Sequence, residues 1–172
     1  MRAFFVFGFF LLFLFLSVPV SAETADALIE EGKELYDQEE YGEALKRFNG
    51  AIKLEPGNAK ANYHRAKSLY RLEKYSEALE GFNKAISLKK EYYKALYRRG
   101  KTYYKLGHYA EAIADYTKAL EIEKDYDKAL YRRGLAQLAL KDTAGALKDI
   151  RAAADLGKPK AIEWLEEFEG NE

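Results

Sequence analysis

Cysteine is absent from the 172 residues, and histidine occurs only twice. Without a thiol there is no disulfide and no lipid-modified cysteine anchor, so the fold must be held by its apolar core alone. His64 and His108 stand far apart and give no metal-ligand spacing. There is also no Gly-rich phosphate loop and no nucleophile elbow. These absences argue against an enzyme, a metal site and a bound cofactor. An excess of one charge is missing too, since 28 Lys and Arg face 28 Asp and Glu. A neutral chain has no bulk attraction for nucleic acid or membrane, and the arrangement of its charges becomes the informative feature.

Long apolar runs are confined to the first residues. Arg2 precedes a run from Ala3 to Leu16 that holds seven of the ten Phe, followed by Pro19 and the small-residue ending VSA. That layout predicts a secretory signal, residues 1–22, cleaved after Ala22, and hence a secreted or periplasmic protein. The alternative is an uncleaved membrane anchor, for which the run is short against the ~20 apolar residues of a span. After cleavage no stable membrane span is expected. Loss of Arg2 leaves 27 basic against 28 acidic residues.

The remainder repeats itself. The heptapeptide KALYRRG occurs at Lys94–Gly100 and again 34 residues later at Lys128–Gly134. Blocks of 34 residues run ungapped over 25–58, 59–92, 93–126 and 127–160. Their eighth residues are Gly32, Ala66, Gly100 and Gly134, their twentieth Ala44, Ala78, Ala112 and Ala146, and their twenty-seventh Ala51, Ala85, Ala119 and Ala153. The twenty-fourth is always large and apolar: Phe48, Phe82, Tyr116 and Ile150. Small residues let helices approach closely and the large one fills the gap between them. In the third block Leu96, Gly100 and Tyr103 share one helical face, as do Ala112, Tyr116 and Ala119. Gly107 supplies a helix stop between them, and Pro56 with Gly57 breaks the chain after the first block. Each block therefore reads as two helices, with no strand.

These columns resemble the tetratricopeptide repeat family, from Ala25 to about Lys160. The resemblance implies an all-α solenoid of four helix-turn-helix repeats. Asn62 departs from the pattern at the fourth position and Arg65, Arg99 and Arg133 at the seventh, while Lys90 and Lys124 replace the closing Pro. An Arg at such a site is expected to pack its stem and keep its head in water. Beyond the repeats, a helix opening at Pro159 puts Ile162, Leu165 and Phe168 on one stripe. The segment 161–172 is thus expected to cap the last repeat, with Trp164 as core or rim. It should also cover Leu135 and Leu138, which otherwise offer an apolar patch for self-association.

Charge is segregated along this array. The first helix of the third block carries Lys94, Arg98, Lys101 and Lys105 on one stripe. The second block repeats it with Lys60, His64, Lys67 and Arg71, and the fourth keeps Lys128 and Arg132. The first helix of the chain is acidic instead, with Asp26, Glu30, Glu31, Glu34 and Asp37. Like charges on one helix repel, so an anionic partner is the simplest reason to repeat the stripe. Salt bridging between helix layers is the plainer alternative.

By the resemblance, first helices line the concave face of the array, where extended peptides or partner helices bind. The stripes would then form a basic groove lined by Tyr63, Tyr97 and Tyr131, interleaved with Tyr70 and Tyr104. Lys94 and Arg98 match positions where some family members clamp a partner's terminal carboxylate. The clamp is incomplete, because Ile29 and Lys33 replace its first-repeat Lys and Asn, and His64 replaces its second-repeat Asn. The expected function is an exported, non-enzymatic adaptor that holds an acidic protein segment or chain terminus, without nucleic acid or cofactor. A cell-surface polyanion and a self-associating scaffold are the alternatives. In such a groove the His64 imidazole should resist protonation.

Overall fold

The computed structural model describes residues 24–170, and the expected signal segment, 1–22, lies outside the described residues. Four antiparallel helix pairs follow in chain order. They are α1 (Ala25–Asp37) with α2 (Tyr41–Leu54), α3 (Ala59–Arg71) with α4 (Tyr75–Leu88), α5 (Tyr93–Lys105) with α6 (Tyr109–Ile122), and α7 (Asp127–Ala139) with α8 (Thr143–Asp155). A single helix, α9 (Pro159–Glu169), closes the array, and no strand occurs among the described residues.

Side-chain chemistry sets these boundaries. Thr24 Oγ1 accepts from the Ala27 N–H at 3.2 Å, Asn58 Oδ1 from Ala61 at 2.9 Å and Asp142 Oδ1 from Gly145 at 3.0 Å, each satisfying a free donor of a first turn. Each turn inside a repeat passes through one left-handed residue: Glu39, Glu73, Gly107 and Lys141, with φ of 65°, 60°, 79° and 65°. Only Gly107 adopts that conformation without a Cβ penalty. Pro159 sits in the first turn of α9, where its missing N–H is not needed.

The repeating columns form the core. The Ala at the twentieth and twenty-seventh positions of every repeat, together with Phe48, Phe82, Tyr116 and Ile150, are fully buried. Gly32 and Gly100 show why the eighth position must be small, since an added Cβ would stand 2.6 Å from Phe48 and 2.8 Å from Tyr116. In the second repeat Ala66 occupies this site, and room for its Cβ comes from Gly81 on the facing helix, whose own Cβ would lie 2.9 Å away.

Each helix packs most on its repeat partner and then on the next repeat, and α1, α3, α5 and α7 also touch one another in succession. The odd-numbered helices therefore make one continuous inner layer. At the far end α9 packs Ala161, Trp164 and Leu165 against Ile150 and Ala153. The expected cap is present but rotated: Ile162, placed on the buried stripe by the sequence, is exposed, and Trp164 takes its place inward, its ring stacked on Phe168 at 5.1 Å. Leu138 is half-buried against the same cluster, as the capping expectation requires.

Candidate functional site

The inner layer begins acidic and becomes basic, and its two ends treat their charges differently. Lys60 Nζ reaches Glu30 at 2.8 Å, and Arg71 reaches Glu39 at 3.4 Å. Glu30 also holds Lys33, and these two ammonium groups keep its carboxyl down at about 2. Arg71 stacks over Tyr41 at 4.3 Å, and Lys67 lies over Tyr36 at 4.1 Å. The outer members of the second-repeat stripe are thus neutralised within the array.

Further along, compensation stops. Lys94, Arg98, Lys101, Lys105, Lys128 and Arg132 make no ion pair with any carboxylate among the described residues. Lys94, Lys105 and Lys128 are exposed, whereas Arg98, Lys101 and Arg132 are half-buried. Lys101 lies over the Tyr70 ring at 5.3 Å. Burial, followed by Arg98, Arg132, Lys105 and Arg71, pushes its ammonium down to about 8. Lys67 is lowered to about 8 as well, by burial and then by Arg98, with Asp37 opposing. Two cavities open beside Arg132. One of about 190 Å³ has Tyr97, Lys128, Tyr131, Lys158 and Lys160 as its other walls, and one of about 250 Å³ lies toward Lys101 and Lys105.

The tyrosines take roles other than simple groove lining. Tyr63 and Tyr97 are each only 7 % exposed and pack in the core, Tyr63 at 4.9 Å from Tyr92 and Tyr97 at 5.0 Å from Tyr126. Each feels the charge of the next repeat's arginine, Tyr63 that of Arg98 and Tyr97 that of Arg132. Tyr63 is thus a core residue beside the groove, whereas Tyr97 also forms one wall of the smaller cavity. Tyr131 is half-buried and lines the smaller cavity.

His64 stacks on Phe48 with ring centroids 5.4 Å apart, and its Nδ1 is buried without a hydrogen-bond partner. Burial, then Lys67, Lys33 and Lys60, bring the imidazole down to about 3, so it is neutral at physiological pH. Lys158 and Lys160 line the smaller cavity too, and they escaped the stripe pattern because they close the fourth block, after its two helices. The only sequence signal was their placement on either side of Pro159. Lys158 is partly spoken for, lying 3.4 Å from Asp127.

The seventh-position arginines depart from expectation. Arg99 keeps its head out of water, donating from Nε and Nη2 to Asp115 at 2.7 and 2.6 Å and from Nη1 to Asn83 at 2.6 Å. Arg133 repeats this with Asp149 at 2.6 and 2.8 Å and Thr117 at 3.1 Å. The cause is the buried aspartate at the twenty-third position of each of these two repeats. In the second repeat that column holds Gly81, and Arg65 Nε is buried without a partner among the described residues. In the first repeat the pair is reversed, Glu31 meeting Arg47 at 3.3 Å.

Among the described residues no group of three His, Asp or Glu is placed to hold a metal ion, and no helix is long and apolar enough to cross a membrane. Two models of the tetratricopeptide repeat match residues 29–92 and 93–126. No curated protein matches the sequence. Among solved structures, the first such domain of Spaghetti (RPAP3), bound to an HSP90 peptide SRMEEVD, is 30% identical over 72% of this chain and 98% of that one, with a TM-score of 0.68. The Arabidopsis OM64 domain is 28% identical over 66% and 94%, with a TM-score of 0.65. MamA shares the fold at 24% identity, over 80% of each chain and with a TM-score of 0.74.

Proposed function

We propose that this chain, which belongs to the tetratricopeptide repeat family, is a non-enzymatic adaptor that holds an acidic segment of another protein in its inner groove. The observation that carries this reading is the set of six cations on α5 and α7 without a carboxylate partner among the described residues, next to a second-repeat stripe whose outer members, Lys60 and Arg71, do find partners. Internal salt bridging explains Lys60 and Arg71 but leaves Lys94, Arg98, Lys101, Lys105, Lys128 and Arg132 unexplained. Unbalanced like charge on neighbouring helices lowers stability, and a bound anion removes that penalty.

The mechanism is electrostatic steering into the basic half of the groove, then docking of carboxylates onto Lys94, Arg98, Lys128 and Arg132. A terminal carboxylate would dock on the Lys94 and Arg98 pair. The acidic peptide on the RPAP3 domain supports the class of ligand. It does not carry over as a partner, since Ile29, Lys33 and His64 replace three matching clamp positions. The N-terminal apolar run supports an exported site of action, secreted or periplasmic.

The test is capture from extracts of the source cells on wild-type protein and on Lys94→Glu/Arg98→Glu, with folding checked by circular dichroism. An acidic protein retained by wild type and lost by the variant is the expected result. Equal capture by both would make the stripe an ordinary solvated face. Capture of an acidic glycan instead would move the ligand class to a non-protein polyanion.

A further inference from the structure

We infer that the 250 Å³ cavity between α5 and α7 is a subsite for a phosphorylated side chain of the bound segment. It rests on the adaptor reading above and adds a ligand group to it. The cavity is lined by Tyr70, Lys101, Tyr104, Lys105, Tyr116 and Arg132, with no acidic residue among them.

Two independent features mark this cavity as built for an anion with several oxygens. The first is charge. The charged residues that act most strongly on Lys101, namely Arg98, Arg132, Lys105 and Arg71, are cations. A carboxylate brings one negative charge, whereas a phosphomonoester brings about −1.5 to −2 and three strong acceptor oxygens. Lys101, Lys105 and Arg132 supply more N–H donors than one carboxylate can accept.

The second is Tyr116. Its side chain is fully buried and its hydroxyl has no hydrogen-bond partner among the described residues. The equivalent residues Phe48, Phe82 and Ile150 fill the same core position without an oxygen, so packing does not require one. Burial and then Tyr97 keep the Tyr116 hydroxyl protonated, and Arg132, Tyr70 and Tyr104, three other walls of the cavity, act on it next. Tyr116 is itself a wall of the cavity and carries this unsatisfied donor, at the one repeat whose inner face carries the four-cation stripe. Buried donors of this kind are normally satisfied, and a phosphate oxygen would satisfy this one.

The site differs from the Lys94 and Arg98 pair, neither of which lines the cavity. A segment whose terminus sits on that pair would reach the cavity with a side chain further along.

The test uses NMR titration of the purified protein with N-acetylphosphoserine amide, N-acetylglutamate amide and inorganic phosphate at fixed ionic strength. The phosphoserine derivative should bind at least fivefold more tightly than the glutamate derivative and shift the ring signals of Tyr70, Tyr104 and Tyr116. Tyr116→Phe, which keeps the ring in place, and Arg132→Gln, at a half-buried surface site, should each remove most of that preference. Equal affinity for the two derivatives, or an unchanged preference in Tyr116→Phe, overturns the subsite. Inorganic phosphate binding as tightly as the phosphoserine derivative overturns a side chain as its occupant. Charge-reversal capture at Lys94 and Arg98 is read separately, so loss of an acidic partner there with no phosphoserine preference here refutes this subsite alone.

Discussion

Arg99 and Asp115 meet edge to edge through two parallel hydrogen bonds, Nε to Oδ2 at 2.7 Å and Nη2 to Oδ1 at 2.6 Å, with the aspartate almost fully buried. The pair ties the inner helix of the third repeat to its outer helix, and Asn83 extends it to the second repeat. Arg133 and Asp149 repeat the arrangement one period on. Removing one partner of such a pair strands a charge in a low-dielectric site. Asp115→Ala should therefore destabilise the protein by about 3 kcal/mol in urea unfolding. Glu77→Ala, which breaks an exposed pair with Lys74, should change stability by about 0.5 kcal/mol or less. Similar losses at the two sites would contradict the buried-pair account.

The second repeat tests the same column from the other side. Arg65 lacks the aspartate because Gly81 occupies its place, and Gly81 cannot gain a Cβ without pressing on Ala66 at 2.9 Å. Gly81→Asp alone should lower stability by roughly 1 to 3 kcal/mol through overpacking. Combined with Ala66→Gly, which restores the close approach used in the other three repeats, it should recover at least 1 kcal/mol relative to Gly81→Asp. Additive effects of the two changes would show that the steric link is wrong.

His64 predicts a specific acid limb. Its folded-state value of about 3 lies below the ordinary 6.5, so the neutral form is the one the fold prefers. Its contribution is whole above pH 6.5 and is lost as pH falls from there toward 3. Glu30, held at about 2 against an ordinary 4.5, contributes above pH 4.5 and loses its share only below that. Between pH 6.5 and 5 the loss should belong mainly to His64. Urea midpoints should fall over that range in wild type and stay level in His64→Gln. The same slope in both proteins would count against a buried neutral imidazole.

Lys67 and Lys101 predict proton linkage on binding. Both ammonium groups are lowered to about 8, so each is only partly protonated at pH 8. An anion docking beside them favours the charged form and draws in protons. Calorimetry with an acidic peptide in buffers of different ionisation enthalpy should show proton uptake at pH 8 and almost none at pH 6. Buffer-independent heats at pH 8 would mean that the ligand sits away from these lysines.

The period, the helix pairs and the buried columns were legible because small and large residues recur at fixed spacing, and steric fit acts locally on each repeat. The basic stripes were legible for the same reason. Pairing across repeats was not, because Lys60 finds Glu30 and Arg71 finds Glu39 only once the helices stack. The buried Asp115 and Asp149 look like ordinary helix-surface acids until Arg99 and Arg133 are set opposite them. Tyr63 and Tyr97 share a helix with the stripe but turn inward, because Tyr92 and Tyr126 of the next inter-repeat turns pack against them. The rotation of α9 was hidden because Ala161, the one residue of that helix that is fully buried, carries no periodic signal of its own.

The most direct test of the account is an anisotropy titration of labelled Asp- and Glu-rich peptides against wild type and Lys94→Glu/Arg98→Glu at low and moderate salt. The account predicts dissociation constants in the micromolar range, on the order of −8 kcal/mol, that weaken as salt rises. It also predicts at least a tenfold loss in the variant, with charge-matched basic peptides bound by neither protein. Equal binding of acidic peptides by wild type and variant, or binding insensitive to salt, would contradict the claim that the unpaired cations of α5 and α7 are the binding site.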